Sequence, residues 1–448
     1  MSKITLQIHF DQQWHDAAEV SFDAPEQGHK GPARLDYLAP YVIEHMGSEN
    51  SEGADGGRAR ISCRYPVDFA SHGEPRWPAF LLDLLPGGEG RRRWAERLGI
   101  TTGLSGELAL LQHAAANPAG NIRVKEAANS HHRLPQQLPD EQGLLTPTVQ
   151  HPGFTKASIV KKREHFIEYA YNLGAAVAGA TDVQGEAPKF LLTEDHNGQW
   201  HAEGALPDSK IKKHWIVKFA RGKTTADQQL LRNEAPYLET ARVFGIQVGE
   251  PLQYKNGALF IPRFDRIQHQ GHTERLAMES LYAISGIAEF GVASSHEELA
   301  SALMETLAEN DRPATALEYI KRDLLNVVMG NTDNHGRNSA VLRDQNGHTR
   351  LSPLFDFAPM YLDPEGIARI TRWNRDKEQA GRPQWQAVCE FFNSWVDEAW
   401  LLREVTALKE PLLQLADVMA AAGIDSDIIE RRQAAIESNL NQLQLLKL

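Results

Sequence analysis

The chain has 448 residues, two cysteines and a formal net charge of −12 at pH 7. Its length predicts roughly two or three domains, and its charge argues against strong non-specific binding of nucleic acid by the chain as a whole. The cysteines, Cys63 and Cys389, lie far apart and form neither a disulfide framework nor a zinc site. The start lacks a signal-peptide pattern and no apolar run is long enough to span a bilayer, so we expect a cytoplasmic protein with no membrane partner.

Residues 1–127 form the first predicted region, in which strands and helices are mixed. Apolar residues recur at every second position of 4–10, which is typical of a strand. For the arginines of 91–97 we favour a solvated helix face over a phosphate contact. Residues 128–153 contain four prolines and form the predicted linker. The elements predicted before this linker are strands over 4–10, 19–22 and 120–124, and helices over 36–46, 79–85 and 91–97.

For residues 154–270 the sequence predicts a lobe built on a small sheet. Lys218 lies in a β-branched and aromatic run, although lysine is rarely buried unless it is paired. It is either an edge-strand lysine that faces water or a contact to the α- and β-phosphates of ATP. In the second case Glu234 of the next helix, or Glu239, would pair with it. The elements predicted here are strands over 184–192, 214–219 and 258–264, and helices over 159–178 and 227–243.

Two further segments of this lobe are candidates for nucleotide contact. Backbone groups of Pro262, Arg263 and Phe264 are candidates for the adenine ring, and Asp265 is a candidate for a ribose hydroxyl. Residues 263–266 could equally form a salt-bridged strand end. A candidate phosphate loop has only one glycine, so it is neither a Walker loop nor the three-glycine kinase loop. Its residues are Gln184, Gly185, Glu186, Ala187, Pro188 and Lys189.

For residues 271–448 the sequence predicts a larger lobe that is helical throughout. A small mixed sheet followed by a helical part is a two-lobed arrangement, and clefts between such lobes are common ligand sites. The predicted helices cover residues 277–289, 296–308, 313–329, 384–395, 397–421 and 425–447.

The most informative stretch follows the helix over 313–329, whose apolar residues lie on one face. Asp333 is a candidate general base for a substrate hydroxyl. Asn338, five residues later, and Asp356 suit Mg²⁺, a hard cation that prefers oxygen ligands. Protein kinases carry Asp and Asn at this separation, and a later Asp binds metal. His335 is expected at the nucleotide site as an orienting histidine rather than as a metal ligand.

With these motifs the chain resembles the HipA family of bacterial serine/threonine kinases, the toxin halves of toxin–antitoxin pairs. The resemblance covers nearly the whole chain and is most specific in the loop after residue 329. The segments that carry it are Phe80-Leu-Leu-Asp-Leu-Leu-Pro86, Arg263-Phe-Asp-Arg266, Gly330-Asn-Thr-Asp-Asn-His-Gly-Arg-Asn338 and Leu351-Ser-Pro-Leu-Phe-Asp356.

The resemblance implies an α+β fold that is protein-kinase-like and two-lobed, with an extra N-terminal α/β subdomain and an all-helical C-lobe. It implies ATP and Mg²⁺ as cofactors, with Lys218 on ATP and residues 262–264 at the adenine. It also implies Asp333 as the catalytic base, and Asn338 and Asp356 as Mg²⁺ ligands.

The resemblance further implies partners for the chain. Members of the family phosphorylate proteins such as aminoacyl-tRNA synthetases, which arrests translation. They typically bind a small helix-turn-helix antitoxin and reach operator DNA through it. We see no helix-turn-helix or strongly basic domain in this sequence, so we do not expect it to bind DNA by itself.

The chain departs from the family in its phosphate loop. The loop usually opens with a serine that can be autophosphorylated, but Asp182 stands at that place. The usual Gln before Pro-Lys is Ala187. We therefore expect altered nucleotide affinity, and the family's usual autophosphorylation switch is not expected at this position.

Two alternatives remain open at the level of sequence. One is a small-molecule kinase of the aminoglycoside-phosphotransferase type, which shares the Asp-to-Asn spacing. Those enzymes usually carry His two residues before the Asp, where this chain has Asn331. The other is a non-catalytic regulator of kinase fold that acts with a DNA-binding antitoxin.

Overall fold

The computed structural model describes residues 2–46, 57–130, 136–161, 164–175 and 188–447. The strands in this part of the chain are β1 (Ser2–Phe10), β2 (Gln13–Phe22), β3 (Ala33–Tyr37), β4 (Ser71–Glu74), β5 (Ile122–Val124), β6 (Gln137–Pro139), β7 (Leu145–Pro147), β8 (Lys189–Asp195), β9 (Trp200–Ala202), β10 (Ile211–Phe219), β11 (Gln253–Lys255), β12 (Ala258–Pro262), β13 (Arg266–His269), β14 (His272–Arg275), β15 (Ala277–Ser280), β16 (Ser294–Ser295), β17 (Ala340–Arg343), β18 (Thr349–Leu351), β19 (Thr371–Arg372), β20 (Glu378–Gln379) and β21 (Arg382–Pro383).

The α-helices in the same part are α1 (Ala39–His45), α2 (Gly88–Leu98), α3 (Glu107–Ala114), α4 (Lys125–Asn129), α5 (Lys156–Val160), α6 (Glu164–Asn172), α7 (Thr225–Val243), α8 (Leu281–Ser285), α9 (His296–Thr306), α10 (Arg312–Met329), α11 (Trp385–Phe391), α12 (Glu398–Ala407), α13 (Lys409–Leu413), α14 (Leu415–Ala422) and α15 (Ser426–Gln444). None of these helices is long and apolar enough to cross a lipid bilayer.

The chain folds into two compact units, each assembled from separate stretches of sequence. The first unit comprises Met1–Arg221, Lys255–Gly291 and Leu342–Thr349. The second unit comprises Gly222–Tyr254, Val292–Val341 and Arg350–Leu448.

One sheet of the first unit is antiparallel throughout, with the strand order β4-β3-β2-β1-β5. Strand β1 lies inside it, between β2 and β5. The alternating residues Ile4, Leu6, Ile8 and Phe10 are at most 2% exposed and belong to the core of this sheet. The strands predicted over 4–10, 19–22 and 120–124 are therefore confirmed.

A second sheet of the first unit holds β12, β10, β8 and β9 as consecutive antiparallel neighbours. Its core is aromatic. Val217 and Phe219 of β10 are buried together with Phe190 of β8 and Phe260 of β12. These side chains alternate along each strand with residues of the opposite face, as the period of a strand requires. The strands predicted over 214–219 and 258–264 are confirmed, although β12 ends at Pro262.

The second unit is mainly helical and has α10 in its core. Ile320 and Leu324 are fully buried, whereas Leu317 and Val327 are only partly buried. The helices predicted over 227–243, 296–308, 313–329 and 425–447 are confirmed by α7, α9, α10 and α15.

Several predicted elements are wrong in type or extent. The segment predicted as a helix over 277–289 begins as strand β15, and α8 starts only after Ser280, whose Oγ caps it by accepting from the Ala283 N–H. The helix predicted over 36–46 starts at Ala39, because β3 continues to Tyr37 in register with β2. The helix predicted over 397–421 is three short helices, α12 to α14.

The expectation that residues 271–448 are helical throughout is also wrong. Strands β14 to β21 lie within this range. Each of them has only two to four residues, too few to show the alternation by which a sequence indicates a strand. The predicted linker likewise contains a hairpin, in which β6 pairs with β7.

The arginines of α2 are only partly a solvated face. Arg92 and Arg93 are exposed and pair with Glu89. Arg91 is buried instead, where it donates to the Glu107 carboxylate at 2.7 Å and to the Thr102 carbonyl at 2.8 Å. Its side chain holds α2 against α3 within the first unit.

A buried network of charges lies where β12 ends. Arg263 donates to the Asp265 carboxylate through Nε at 2.9 Å and through Nη2 at 2.6 Å. The same carboxylate accepts from Arg266 Nη1 at 2.6 Å and from the Gly120 N–H at 2.8 Å. Nη1 of Arg263 lies 3.2 Å from Oε2 of Glu203. The network thus joins three separate stretches of the first unit.

This network decides between the two interpretations of residues 263–266. Burial raises the pKa of the Asp265 carboxyl, but the guanidiniums of Arg263 and Arg266 outweigh burial and hold that pKa well below its usual range. The carboxylate is only 5% exposed and accepts from protein donors, so it is not placed to receive a ribose hydroxyl. The salt-bridged strand end is the correct interpretation. A backbone contact of Pro262, Arg263 and Phe264 with adenine stays a prediction.

We predict that Arg263→Met lowers the free energy of unfolding of the first unit by about 3–5 kcal/mol, because it leaves the buried Asp265 carboxylate without its main partner and removes one partner of the buried Glu203 carboxylate. Arg34→Met serves as the control. Its partner Asp36 is 38% exposed, so the expected loss is below about 1 kcal/mol. Chemical denaturation at pH 7 measures both. Equal losses of stability in the two variants would contradict the conclusion that Arg263 holds a buried network of charges.

The loss of stability caused by Arg263→Met should also depend on pH. The depressed pKa of Asp265 means that its charge stabilises the fold fully above the pKa of an unfolded Asp, and that this contribution is lost as pH falls. The difference between wild type and Arg263→Met should therefore shrink below about pH 4.

Candidate active site

The loop that follows α10, residues 330–338, starts at a residue that has to be glycine. Gly330 has φ of +77° and ends α10 in the left-handed conformation. A Cβ atom at this position would lie 2.6 Å from Cδ1 of Tyr361. Both the backbone conformation and the packing therefore exclude a side chain here.

The last carbonyls of α10 are held by side chains from two other helices. Tyr237 Oη of α7 donates to the Met329 carbonyl at 2.9 Å. Arg432 of α15 donates to the Val328 carbonyl at 2.8 Å and to the Val327 carbonyl at 2.6 Å. The final carbonyls of a helix lack partners within the helix, so these bonds fix the point at which the 330–338 loop begins.

Hydrogen bonds inside the loop orient three of the predicted site residues. Nδ2 of Asn338 donates to the Asp333 carbonyl at 2.8 Å, and the Asn338 N–H donates to the His335 carbonyl at 2.9 Å. This arrangement turns the amide so that its Oδ1 remains as a ligand atom. The structure thus brings Asp333, His335 and Asn338 together within one short loop.

His335 is placed to orient the Asp333 carboxylate. Its Nδ1 accepts from the Arg337 N–H at 3.3 Å, and its Nε2 lies 3.3 Å from Oδ1 of Asp333. A neutral imidazole that accepts at Nδ1 carries its proton at Nε2, so it donates that proton toward Asp333. The side chain of Asp333 is 27% exposed, which leaves it accessible to a substrate.

The second acidic segment of this unit is anchored on both sides of Asp356. Before it, the Leu354 N–H donates to the Gln247 carbonyl at 2.8 Å. After it, Phe357 is fully buried and packs on the ring of Tyr237, with centroids 5.4 Å apart. Asp356 itself has φ of +53°, a conformation that costs a non-glycine residue roughly 1–2 kcal/mol. Such strain concentrates at functional sites.

A buried polar network supports the loop from a third direction. Nδ2 of Asn334 donates to the carbonyl of Thr371 in β19 at 3.0 Å. Two residues later, Trp373 Nε1 donates to Oδ2 of Asp323 in α10 at 2.7 Å, and His296 Nε2 lies 3.2 Å from Oδ1 of the same carboxylate. Burial raises the pKa of Asp323, but its partners, His296 first among them, bring it down to about 2. A charged Asp323 thus ties Trp373, the residue after β19, to α10.

The residues predicted to bind a divalent cation are Asn338 and Asp356. Among residues 2–46, 57–130, 136–161, 164–175 and 188–447, no cluster of three or more His, Cys, Asp or Glu side chains could hold a metal ion. Mg²⁺ usually takes only one or two protein carboxylates and fills its other positions with phosphate oxygens and water. The donor set therefore fits Mg²⁺ that arrives with a nucleotide better than a metal held by protein alone.

The predicted lysine lies in the first unit, on an inner strand. Lys218 of β10 stands opposite Lys189 of β8 on one side and Leu259 of β12 on the other. Because β10 has neighbours on both sides, the edge-strand interpretation of Lys218 is wrong. Directly opposed residues point to the same face, so this face carries two neighbouring lysines.

Glu234 is buried on α7 in the second unit, and its pairing with Lys218 stays a prediction. Glu239, the alternative partner, is exposed on the same helix and pairs with Arg242. Residues Gln184, Gly185, Glu186 and Ala187 of the candidate phosphate loop, and Asp182 before them, lie outside the described residues. The Pro188 carbonyl accepts from the Phe219 N–H at 3.0 Å, which places Pro188 beside β10.

Two family models match this chain. The model described as HipA-like C-terminal domain matches residues 181–421, and the model described as HipA N-terminal domain matches residues 49–125. The first match alone covers more than half of the chain and includes Lys218, Asp333 and Asp356. The chain belongs to the HipA family. The recognition made from the motifs is thereby confirmed.

One relative is the "Putative kinase Y4mE" of Sinorhizobium fredii (strain NBRC 101917 / NGR234). It is 28% identical over 302 residues, which are 64% of this chain and 65% of that protein. The match therefore spans just under two thirds of the relative's length. It supports membership of a HipA-like kinase family.

A similar solved structure is that of the Shewanella oneidensis MR-1 toxin–antitoxin system HipA, HipB and its operator DNA complex. The TM-score is 0.62 and the identity 19%, over 99% of this chain and 97% of that chain. This likeness shows that the fold, of mixed helix and sheet, is shared. The Helicobacter pylori proinflammatory kinase CtkA has a TM-score of 0.32 and 13% identity, over 59% of this chain and 92% of that chain, which is too weak to support an argument.

The sequence motifs did not reveal the residues that hold the site residues in place. Tyr237, Arg432 and Tyr361 come from distant helices and turns, and no local pattern marks them. Asp323 did give a signal, because it is a carboxylate among the apolar residues of a core helix. A buried carboxylate requires buried donors, and Trp373 and His296 provide them.

We predict that Asp356→Ala is less stable than Asp356→Gly by about 1 kcal/mol. Both variants lose the carboxylate, but the left-handed backbone conformation is unfavourable only for alanine. Denaturant unfolding of the two proteins measures this difference. Equal stability, or a more stable alanine variant, would show that the conformation at residue 356 is not strained.

Proposed function

We propose that this protein is an ATP- and Mg²⁺-dependent serine/threonine protein kinase. The observation that carries the proposal is the 330–338 loop, in which Asn338 is oriented by the backbone of Asp333 and the Asp333 carboxylate by His335. A general base and a metal ligand five residues apart on a rigid loop are the parts that phosphoryl transfer from ATP requires. Membership of a HipA-like kinase family supports the same assignment.

In the proposed reaction the γ-phosphoryl group of ATP is transferred to a serine or threonine hydroxyl, and ADP leaves. Asp333 accepts the proton of the attacking hydroxyl, and His335 holds the carboxylate in position. Asn338 Oδ1 and the Asp356 carboxylate would bind Mg²⁺, which neutralises phosphate charge when it is bound. The neutral amide and the single carboxylate leave coordination positions for phosphate oxygens.

The lysines of the second sheet are assigned to the phosphates. Because directly opposed residues point to the same face of a sheet, an anion that binds to this face would contact both lysines. Lys218 is the proposed contact to the α- and β-phosphates, as in the kinases that this chain resembles. Lys189, opposite it in register, is the proposed second contact.

The substrate and the partner are proposed from the family. The Shewanella structure contains HipA, HipB and operator DNA, and we propose that this chain likewise binds a small DNA-binding antitoxin. The net charge of −12 is unfavourable for direct binding of DNA, so DNA would be reached through that partner. We propose a protein as the substrate, for instance an aminoacyl-tRNA synthetase.

We predict that Asp333→Asn lowers the rate of phosphoryl transfer by 100-fold or more, the contribution typical of a general base, and leaves the affinity for Mg·ATP within about threefold. Transfer from γ-labelled ATP to the protein target, with nucleotide affinity measured separately, tests this expectation. Asp376→Asn is the control, because Asp376 is an exposed carboxylate of the same unit. It should retain wild-type activity.

The outcomes separate the proposal from its alternatives. Transfer to a small aminated or hydroxylated compound, and not to protein, would favour a small-molecule kinase. A wild-type protein that binds no Mg·ATP in any assay would contradict the enzymatic proposal and favour a non-catalytic regulator.

We predict that a short neighbouring reading frame encodes a basic helix-turn-helix protein that copurifies with this chain. The complex should shift a DNA fragment from the upstream region in a gel, whereas this chain alone should not. A shift by the isolated chain would contradict the indirect route to DNA.

A further inference from the structure

The C-terminal helix α15 closes the end of α10. Arg432 contacts the Val328 and Val327 carbonyls, which are 104 and 105 residues away in sequence. A cation at this end of a helix is favoured by the helix dipole, and the two bonds satisfy carbonyls that α10 cannot satisfy itself. The residues immediately beyond these carbonyls are Gly330 and the loop that carries Asp333.

Tyr361 forms the other half of this contact. Its ring lies over the guanidinium of Arg432, with Cζ 5.1 Å from the ring centroid. Its N–H donates to the Gly330 carbonyl at 3.1 Å. Tyr361 stands five residues after Asp356, so it connects the segment of Asp356 with the start of the 330–338 loop.

We propose that Arg432 and Tyr361 are positioning residues that hold Asp333 and Asp356 in register with each other. The inference rests on the proposed function and assigns a part in it to the C-terminal helix. Neither residue needs to touch substrate. Their contacts fix where each acidic segment starts, and a displacement of about 1 Å at a reacting group can reduce the rate by 100-fold.

The geometry of this clamp, defined as Arg432, Tyr361 and Gly330, requires an arginine. A planar guanidinium offers several donors in a fixed fork, so it can reach two successive carbonyls and still stack on a ring. A lysine at 432 offers one flexible ammonium group, which cannot do both in one fixed geometry. Burial lowers the pKa of Arg432, which is the expected effect of enclosing the guanidinium between the ring and the helix end.

Helix α15 is firmly anchored for this task. At its N-terminal end the Asp425 carboxylate accepts from Arg232 and, at 3.0 Å, from Nδ2 of Asn233, both of α7. The same helix α7 supplies Tyr237 to the Met329 carbonyl. Helices α7, α10 and α15 thus support the loop together.

The test compares Arg432→Met and Arg432→Lys with Arg431→Met. Arg431 is the adjacent, exposed arginine on the same helix and serves as the matched control. We expect Arg432→Met to lower kcat by 10- to 100-fold while the KM for ATP stays within threefold. Arg432→Lys should recover only part of this loss, and Arg431→Met should behave as wild type. Thermal unfolding of each variant confirms that it is folded.

Hydrogen exchange read by mass spectrometry provides a measure that does not depend on activity. We expect peptides covering residues 330–339 and 356–362 to exchange at least tenfold faster in Arg432→Met, while peptides from α9 and from the first unit stay unchanged. Tyr361→Leu should show the same pattern, and Tyr361→Phe should not.

The results distinguish this inference from the proposed function. If the wild type transfers no phosphoryl group, the proposed function fails, and the exchange pattern still decides whether the clamp holds the loop. A folded Arg432→Met protein with wild-type kcat and unchanged loop exchange would overturn the inference. Uniformly faster exchange across the chain would also overturn it, because that pattern indicates a general loss of stability.

Discussion

The candidate site depends on how the C-terminal end of α10 is satisfied. A helix leaves its last carbonyls without partners, and here Tyr237 and Arg432 supply donors to Val327, Val328 and Met329. These bonds turn the end of a core helix into a fixed origin for the loop that follows. Gly330 then continues the chain in a left-handed conformation, at a position with no room for a Cβ atom.

From that origin, a few short contacts orient the candidate site residues. Asn338 is oriented by a backbone carbonyl and Asp333 by an imidazole, so neither group relies on a flexible partner. The strain at Asp356 is held in place by the burial of Phe357 and by the backbone bond of Leu354. The Asp333 side chain therefore stays partly exposed, while His335 and Phe357 beside the site residues are buried.

The sequence indicated candidate site residues but not the residues that support them. Asp333, Asn338 and Asp356 could be proposed because polar residues at a fixed spacing interrupt apolar elements. The alternation in β1 and β10 likewise predicted those strands correctly. Arg432 could not be found, because its partners are carbonyls about one hundred residues away. Every residue has a backbone carbonyl, so the sequence does not show which of them accept from a side chain. The strand β15 was missed because local propensity does not show where the following helix starts. Ser280 caps that helix, so the residues before it are free to form a strand.

At residues 263–266 the sequence alone also cannot show whether charged side chains bind a ligand or each other. Either a ribose contact or an internal ion pair fits the pattern Arg-Phe-Asp-Arg, and only burial distinguishes them. Arg263 and Asp265 have exposures of 1% and 5%, so their charges stabilise the first unit instead of binding a ligand. Lys218 differs, because its strand is internal while its face of the sheet carries a second lysine in register.

The central claim is that this chain binds ATP through Mg²⁺. Calorimetric titration of the wild-type protein with a non-hydrolysable ATP analogue tests it most directly. The account predicts binding at least tenfold tighter with Mg²⁺ than with EDTA, and loss of this metal dependence in Asp356→Asn. Absence of binding, or binding of equal strength with and without Mg²⁺, would contradict the account.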